Sequence, residues 1–219
     1  MKIRDIMNCN VVTIPSSTSI AEARRLMEAH RIKRLPVVDR GKLVGIVTSR
    51  GLDRVSPGQA TSLSIWELSY LLQTTPVKDF MAKDVFTVHP DDDSEWVVAE
   101  AQKRQVGSAV VLEGKHVVGI VTSDDFFDKV IGPLLGVGLP GDRIEIAGAV
   151  FPHKGPGQLE KLIAVVRKFG YKIMTIHIEG YPMKQEGLDV CFHVYDGQDI
   201  DALIKEFQNQ GYQARLRKR

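Results

Sequence analysis

The chain has 219 residues, 43% hydrophobic and 26% charged, with a formal net charge of +2 at pH 7. That length allows one to three packed domains, and the near-balance of charge gives no global field suited to nucleic acid or a membrane surface. Cys9 and Cys191 alone make no disulfide framework, no stretch reaches the ~18 apolar residues of a membrane span, and Met1–Asp5 opens into charged sequence without a signal-peptide core; a soluble cytoplasmic protein that engages neither nucleic acid nor membrane is expected.

In chain order, Thr18 and Ser19 precede positions Ile20, Ala23, Leu26, Met27 and His30, whose spacing predicts a capped helix. Leu35–Asp39 and Leu43–Val47 read as strands around the turn Arg40-Gly41; their continuous apolar runs suit strands covered on both faces. Residues 56–63 are a loop by composition, and Trp66–Leu72 looks like a short helix. The phrase Val44–Ser49 then recurs as Val118–Ser123, an offset of 74 that also carries Asp5 onto Asp79, Met7 onto Met81, Val11 onto Val85, Thr13 onto Thr87 and Val37 onto Val111. One structural unit has therefore been used twice. Each copy, at roughly 55 residues, sits near the lower limit for an independent core, so the two are expected to pack as a pseudo-twofold pair with two related pockets. The second copy repeats the pattern, with a helix from Ser94, strands Ala109–Leu112 and Val117–Val121, and a helix from Ser123. Asp91–Asp93, after Pro90 and before the Ser94 helix, reads as charge complementing the helix dipole rather than as a metal site.

Gly132–Gly141 reads as a linker. Its Gly136-Val-Gly-Leu-Pro-Gly141 spells G-x-G-x-x-G, but a helix precedes it and a strand follows, the reverse of a dinucleotide fingerprint. Beyond it come strand Arg143–Val150, helix Leu159–Phe169, strands Lys172–Glu179 and Leu188–Tyr195, helix Asp199–Gln210 and a last strand at Tyr212–Leu216, the βαββαβ order of a ferredoxin-like unit. Alternation puts Met174, Ile176 and Ile178 with Val190, Phe192 and Val194 on the core side of this sheet, and Thr175, His177, Glu179, Cys191, His193 and Tyr195 on the other. A hairpin would gather His177, Cys191 and His193, groups that suit zinc; an exposed or subunit-facing surface accounts for them better, and no metal is expected. Arg215–Arg219 reads as a solvated basic tail. There is no G-x-S-x-G, H-E-x-x-H, P-loop or C-x-x-C, and no enzyme is expected.

The expected divisions are thus 1–55 and 77–131 for the repeats, 56–76 between them, 132–142 as linker and 143–219 as tail, an α/β (α+β) chain. The duplicated ends, one of them Gly119-Ile-Val-Thr-Ser-Asp-Asp125, resemble the CBS-domain pair (Bateman module) with its G-h-h-T-x-x-D pattern. Lys154-Gly-Pro-Gly-Gln-Leu159 resembles the D-x-P-G-x-L loop of ACT domains, and Ser56-Pro-x-x-Ala-Thr-Ser-Leu-Ser64 with Glu67-Leu-x-Tyr-Leu-Leu72 is similar to CBS–ACT proteins of the AcuB (acetoin-utilisation) type.

The resemblance implies a regulatory sensor of an adenosine ligand such as AMP, ATP or S-adenosylmethionine, with no obligatory cofactor. Thr122 and Ser123 stand at a helix start that favours phosphate, and Asp125 can accept the ribose hydroxyls in charge-assisted bonds. The adenine would lie against the other repeat, at Thr13, Ile14, Pro15, Ile32, Lys33, Arg34 and Leu35. A weaker mirror pocket would use Thr48, Arg50, Thr87, Val88, Val106, Ser108 and Ala109, with Gly51 where the first has Asp125. Gly155 and Gly157 would frame a small-metabolite site in the tail, although Lys154 replaces the acidic residue there. A homodimer and a separate regulated protein, in acetate or acetoin metabolism by analogy, are the implied partners, with Ser56–Gln59 and Gly132–Gly141 as moving joints. Two plainer readings stand beside these: Thr122 and Asp125 as a helix-capping pair, and the whole chain as a dimerisation scaffold without ligand.

Overall fold

A computed structural model describes residues 1–55, 64–151, 157–180 and 187–217. The joint expected at Ser56–Gln59 and the loop residues Lys154 and Gly155 lie outside them. The chain forms two compact units, Met1–Phe127 and Asp128–Arg219.

The first unit holds both repeats. Repeat one runs α1 (Ile3–Ile6), α2 (Ile20–His30), β1 (Arg34–Asp39), β2 (Lys42–Thr48) and α3 (Ser49–Val55), and α4 (Ile65–Thr74) follows it. Repeat two runs through a 3-10 turn (Val77–Asp79), β3 (Thr87–Val88), α5 (Ser94–Arg104), β4 (Ser108–Glu113), β5 (His116–Thr122) and α6 (Ser123–Phe126). Ser19 starts α2 by accepting the Glu22 amide on its hydroxyl (3.2 Å), and Ile20, Ala23 and Met27 turn to the core. Both long helices end on a left-handed residue, Arg31 and Gln105, which are equivalent under the 74-residue offset. The hairpins β1–β2 and β4–β5 share one irregularity, between Val37 and Val38 and between Val111 and Leu112.

The repeats hold together by exchanging their leading segments. Ile3 N–H donates to the Asp92 carbonyl as Val77 N–H donates to Thr18, Arg4 to Pro90 as Lys78 to Ser16, and Ser94 to Met1 as Ile20 to Thr75, at 2.8–3.1 Å. Asn8 pairs with Ile120 in β5, and Ala82 with Ile46 in β2. Lys2–Asp93 (2.8 Å) and Arg4–Asp91 add ion pairs on the same seam, so the acidic cluster joins the repeats as well as heading α5. The close approach explains the glycine inside each Val-Gly-Ile-Val-Thr strand. A Cβ at Gly45 would stand 2.6 Å from Met81 Sδ and 3.0 Å from the Ala82 carbonyl oxygen; one at Gly119 would stand 2.6 Å from Met7 Sδ. Gly45→Val is therefore expected to destabilise this unit by roughly 1–3 kcal/mol through overpacking. Chemical denaturation measures it, and Met81→Ala should restore part of the stability lost by Gly45→Ala. Wild-type stability in Gly45→Val would contradict the close packing.

The second unit begins with a π-helical turn (Phe127–Ile131, beginning one residue earlier) and α7 (Gly132–Leu134). It continues as β6 (Asp142–Val150), α8 (Gln158–Lys168), β7 (Lys172–Glu179), β8 (Leu188–Tyr195), α9 (Ile200–Asn209) and β9 (Gln213–Leu216). The sheet order is β7-β8-β6-β9, every neighbouring pair antiparallel, which is the ferredoxin-like arrangement. Leu162, Val165 and Val166 of α8 and Leu203 and Phe207 of α9 pack on Ile144, Ile146, Val190, Phe192 and Val194. Three expectations are corrected here. The register slips between Ile173 and Thr175, so Ile173 rather than Met174 joins Ile176 at the core. Arg215 pairs with Glu145 (2.5 Å) and Arg217 with Glu179 (2.9 Å), so this stretch of the basic tail is tied to the sheet. The glycines at 136 and 141 belong to a close wrap: a Cβ at Gly136 would come 2.2 Å from His193 Nδ1, and one at Gly141 2.3 Å from the Val194 carbonyl oxygen.

Candidate functional site

The first unit contains a cleft of about 280 Å³ between its repeats. Repeat one supplies Asn8, Asn10, Val11 and Val12 from the segment after α1, Arg31 from the end of α2, and Ile32, Lys33 and Arg34 leading into β1. Repeat two supplies Ile120 and Thr122 of β5 and Asp124 and Asp125 of α6. The Asn8–Ile120 pairing, with N–H to carbonyl distances of 2.9 and 3.0 Å, fixes the first wall against the second. Asn8 also accepts the Asn10 amide on its side-chain oxygen (2.9 Å), a local turn within this wall.

Thr122 and Asp125 form a reciprocal cap. The Thr122 amide (2.9 Å) and hydroxyl (2.8 Å) both donate to Asp125 Oδ2, and the Asp125 amide donates back to Thr122 Oγ1 (3.4 Å). The capping role is therefore real, and the same half-buried carboxylate still lines the cleft. At the equivalent place in repeat one the Gly51 amide donates to Thr48 Oγ1 (3.0 Å), and glycine returns no carboxylate.

Of the residues expected around the adenosine, Ile32, Lys33, Arg34, Thr122 and Asp125 come together in this cleft. Ile14 and Leu35 do not line it: they are 3% and 0% exposed and belong to the core with Ile20, Val37 and Val47. Thr13 and Pro15 are exposed, and Ser123 hydrogen-bonds the Gly107 carbonyl through its amide (3.2 Å); none of the three lines the cleft. On the mirror side Val88 and Ala109 are core residues, Thr48 and Ser108 are half-buried, and Arg50, Thr87 and Val106 are exposed. The wall of Asn8 to Val12, together with Arg31, Ile120 and Asp124, was missed in the sequence. Asn8 carried one signal, its adjacency to the repeated Met7.

In the tail, Gly157 takes φ +93° at the head of α8. Thr175 pairs with His193 and His177 with Cys191 across β7–β8, so the three candidate ligands share a face. That face is covered at Cys191 and His193, which are 4% and 1% exposed, contrary to the surface expected. His193 Nε2–H donates to the Pro140 carbonyl (3.0 Å), His177 bonds Thr175 Oγ1 (3.1 Å), and burial pushes the Cys191 thiol up, with Arg217 pulling it partly back. No group of three His, Cys, Asp or Glu side chains able to hold a metal occurs among the described residues. Nor, among them, is any helix long and apolar enough to cross a membrane.

Comparison with known proteins agrees with the internal duplication. The chain is 33% identical over 127 residues to L-aspartate semialdehyde sulfurtransferase of Methanocaldococcus jannaschii, covering 56% of this chain and 22% of that protein. It is 32% identical over 146 residues to inosine-5'-monophosphate dehydrogenase of Korarchaeum cryptofilum, covering 65% and 27%. The chain thus spans about a quarter of the length of these relatives. Among solved structures, the CBS domain pair of protein MJ0100 in complex with 5'-methylthioadenosine and S-adenosyl-L-methionine is 30% identical, covering 60% of this chain and all of that one, with a TM-score of 0.50. A protein of Vibrio cholerae assigned to acetoin utilization (AcuB) is 30% identical, covering 64% and 98%, with a TM-score of 0.51. The CBS-domain family model matches residues 3–58 and 77–132, just over half of the sequence, and the chain belongs to the CBS-domain family.

Proposed function

We propose that the chain is a non-catalytic regulatory sensor that binds an adenosine-containing ligand in the cleft between its repeats and relays occupancy to a partner protein. The observation that carries this reading is the cleft itself: a concave space in which Thr122 and Asp125 of one repeat face Ile32, Lys33 and Arg34 of the other. Asp125 suits ribose hydroxyls, and half-buried Ile32, Val11 and Val12 offer apolar surface to a base. The adenosine compounds bound by the related domain pair support the same ligand class. The tail's sheet topology supports the ACT-like assignment, and a small-metabolite site near Gly157 belongs to that same reading.

Thermal unfolding of the full chain with adenosine, AMP, ATP, 5'-methylthioadenosine and S-adenosylmethionine tests the reading. A ligand at 100 times its Kd should stabilise the protein by about 2.7 kcal/mol. No shift with any of the five at millimolar concentration would contradict it. One observation favours a second reading, the dimerisation scaffold: on α4, Ile65 and Trp66 are each 84% exposed and Tyr70 67%, an apolar face suited to another protein surface.

A further inference from the structure

The stretch expected as a loose linker, Gly132–Gly141, is bound to the tail sheet instead. It forms successive turns, in which the amides of Leu135, Gly136, Val137 and Leu139 donate to the carbonyls of Ile131, Pro133, Gly132 and Gly136 at 2.8–3.2 Å. Two side chains then grip these turns from β6 and β8, the inner strands of the sheet. The Arg143 guanidinium donates to the Gly136 carbonyl (2.6 Å), and His193 Nε2–H donates to the Pro140 carbonyl (3.0 Å). Arg143 and His193 are register partners across β6–β8, so both bonds arise from one place on the sheet.

The fit leaves no slack there. Gly136 is buried at φ +67°, and the Cβ it lacks would stand 2.2 Å from His193 Nδ1. That nitrogen has no hydrogen-bond partner among the described residues, and the Gly136 backbone lies against it. An unpaired buried nitrogen is uncommon; here it is what close contact with Gly136 costs. Gly138, at φ +76°, would meet nothing within 4 Å, so the tight contact is confined to particular glycines. The π-helical turn before this stretch, Phe127–Ile131, differs: it buries none of its residues, and Phe127 is 61% exposed. It follows directly on α6, whose first turn holds Asp125. Single π-helical turns are rare and occur mostly at functional positions.

We propose that residues 132–141 are a clasp of the tail unit, latched at Arg143 and His193, and that the chain bends at the π-helical turn before it. The glycines at 136 and 141 thus serve close packing, where a linker would use them for freedom. The clasp moves with the sheet as one body, and the turn at 127–131 is the covalent path by which a change at α6 reaches it. Only that last consequence rests on the sensor reading.

Backbone amide hydrogen exchange of the full chain, followed residue by residue by NMR, tests this without any ligand. The amides of Leu135, Gly136, Val137 and Leu139 should exchange roughly tenfold more slowly than those of Asp128, Lys129 and Val130. Gly138→Ala measures the cost of the left-handed backbone alone. Gly136→Ala adds the overlap with His193, and should speed exchange in the clasp roughly tenfold beyond Gly138→Ala. The amides of Val190 and Phe192 in β8 should keep their wild-type rates. Should circular dichroism show that Gly136→Ala unfolds the tail, Arg143→Met takes its place: it removes one latch bond and should speed the same amides about tenfold. Clasp amides exchanging as fast as those of the turn in the wild type overturn the proposal. So does a response to Gly136→Ala or Arg143→Met no larger than that to Gly138→Ala. Either outcome leaves the adenosine reading standing, which nucleoside titration decides by itself.

Discussion

Leu35→Ala is expected to lower the stability of the first unit by about 2–5 kcal/mol, the usual cost of truncating a buried leucine, and to leave nucleoside affinity of the folded protein unchanged. Leu35 is fully buried, pairs with Val47 across the β1–β2 hairpin, and packs in the cluster of Ile14, Ile20, Ala23, Met27 and Val37. Its neighbour Arg34 starts the same strand and lines the cleft. One step along a strand reverses the face, so the backbone that carries a cleft residue at 34 must send 35 to the core. Urea unfolding at constant m measures the loss, and a nucleoside titration on the same variant measures the rest. Stability near wild type together with weakened binding would return Leu35 to the cleft wall.

That residue also marks how far the sequence could be read. The 74-residue offset identified the pair of repeats, because identical phrases demand identical local structure. Capping and helical spacing placed α2, alternation placed β7 and β8, and the repeat placed the start of α5 at Ser94. Strands covered on both faces carry no alternation, so Leu35-Pro-Val-Val showed a strand without showing which side of it met the cleft; Val88 and Ala109 of β3 and β4 are buried likewise. The wall from Asn8 to Val12 was hidden differently. It reaches the cleft only because repeat one's leading segment crosses to pair with Ile120, and a long-range exchange of this kind leaves no periodic trace in the chain. In the tail, one extra residue at Met174 shifted the facing that strict alternation gives. Likewise, nothing in Gly136–Gly141 announces that its glycines make room for His193 and the backbone of Val194.

Asp125 carries two roles that substitution can separate. Its Oδ2 accepts both the amide and the hydroxyl of Thr122, and its backbone amide donates back, so Asp125→Ala is expected to cost about 0.5–2 kcal/mol as a lost cap. Asp125→Asn keeps an acceptor oxygen and should recover most of that stability. If the carboxylate also holds the ribose, both variants should bind adenosine roughly tenfold to a hundredfold more weakly, because an amide oxygen forms a weaker bond to a hydroxyl than a carboxylate does. The cap alone predicts no such agreement, since Asn and Ala differ in stability. Titration with 2'-deoxyadenosine sharpens the distinction: a ligand already lacking the hydroxyl should lose little further affinity in Asp125→Asn. The Gly51 position gives the reverse experiment. A Cβ there would meet only Thr48 Oγ1, at 3.1 Å, so Gly51→Asp should form the reciprocal cap in repeat one without strain at the backbone. A chain in which Asp125→Ala loses stability as capping requires, yet binds adenosine with wild-type affinity, would confine Asp125 to the helix and leave nucleoside recognition to the other residues that line the cleft.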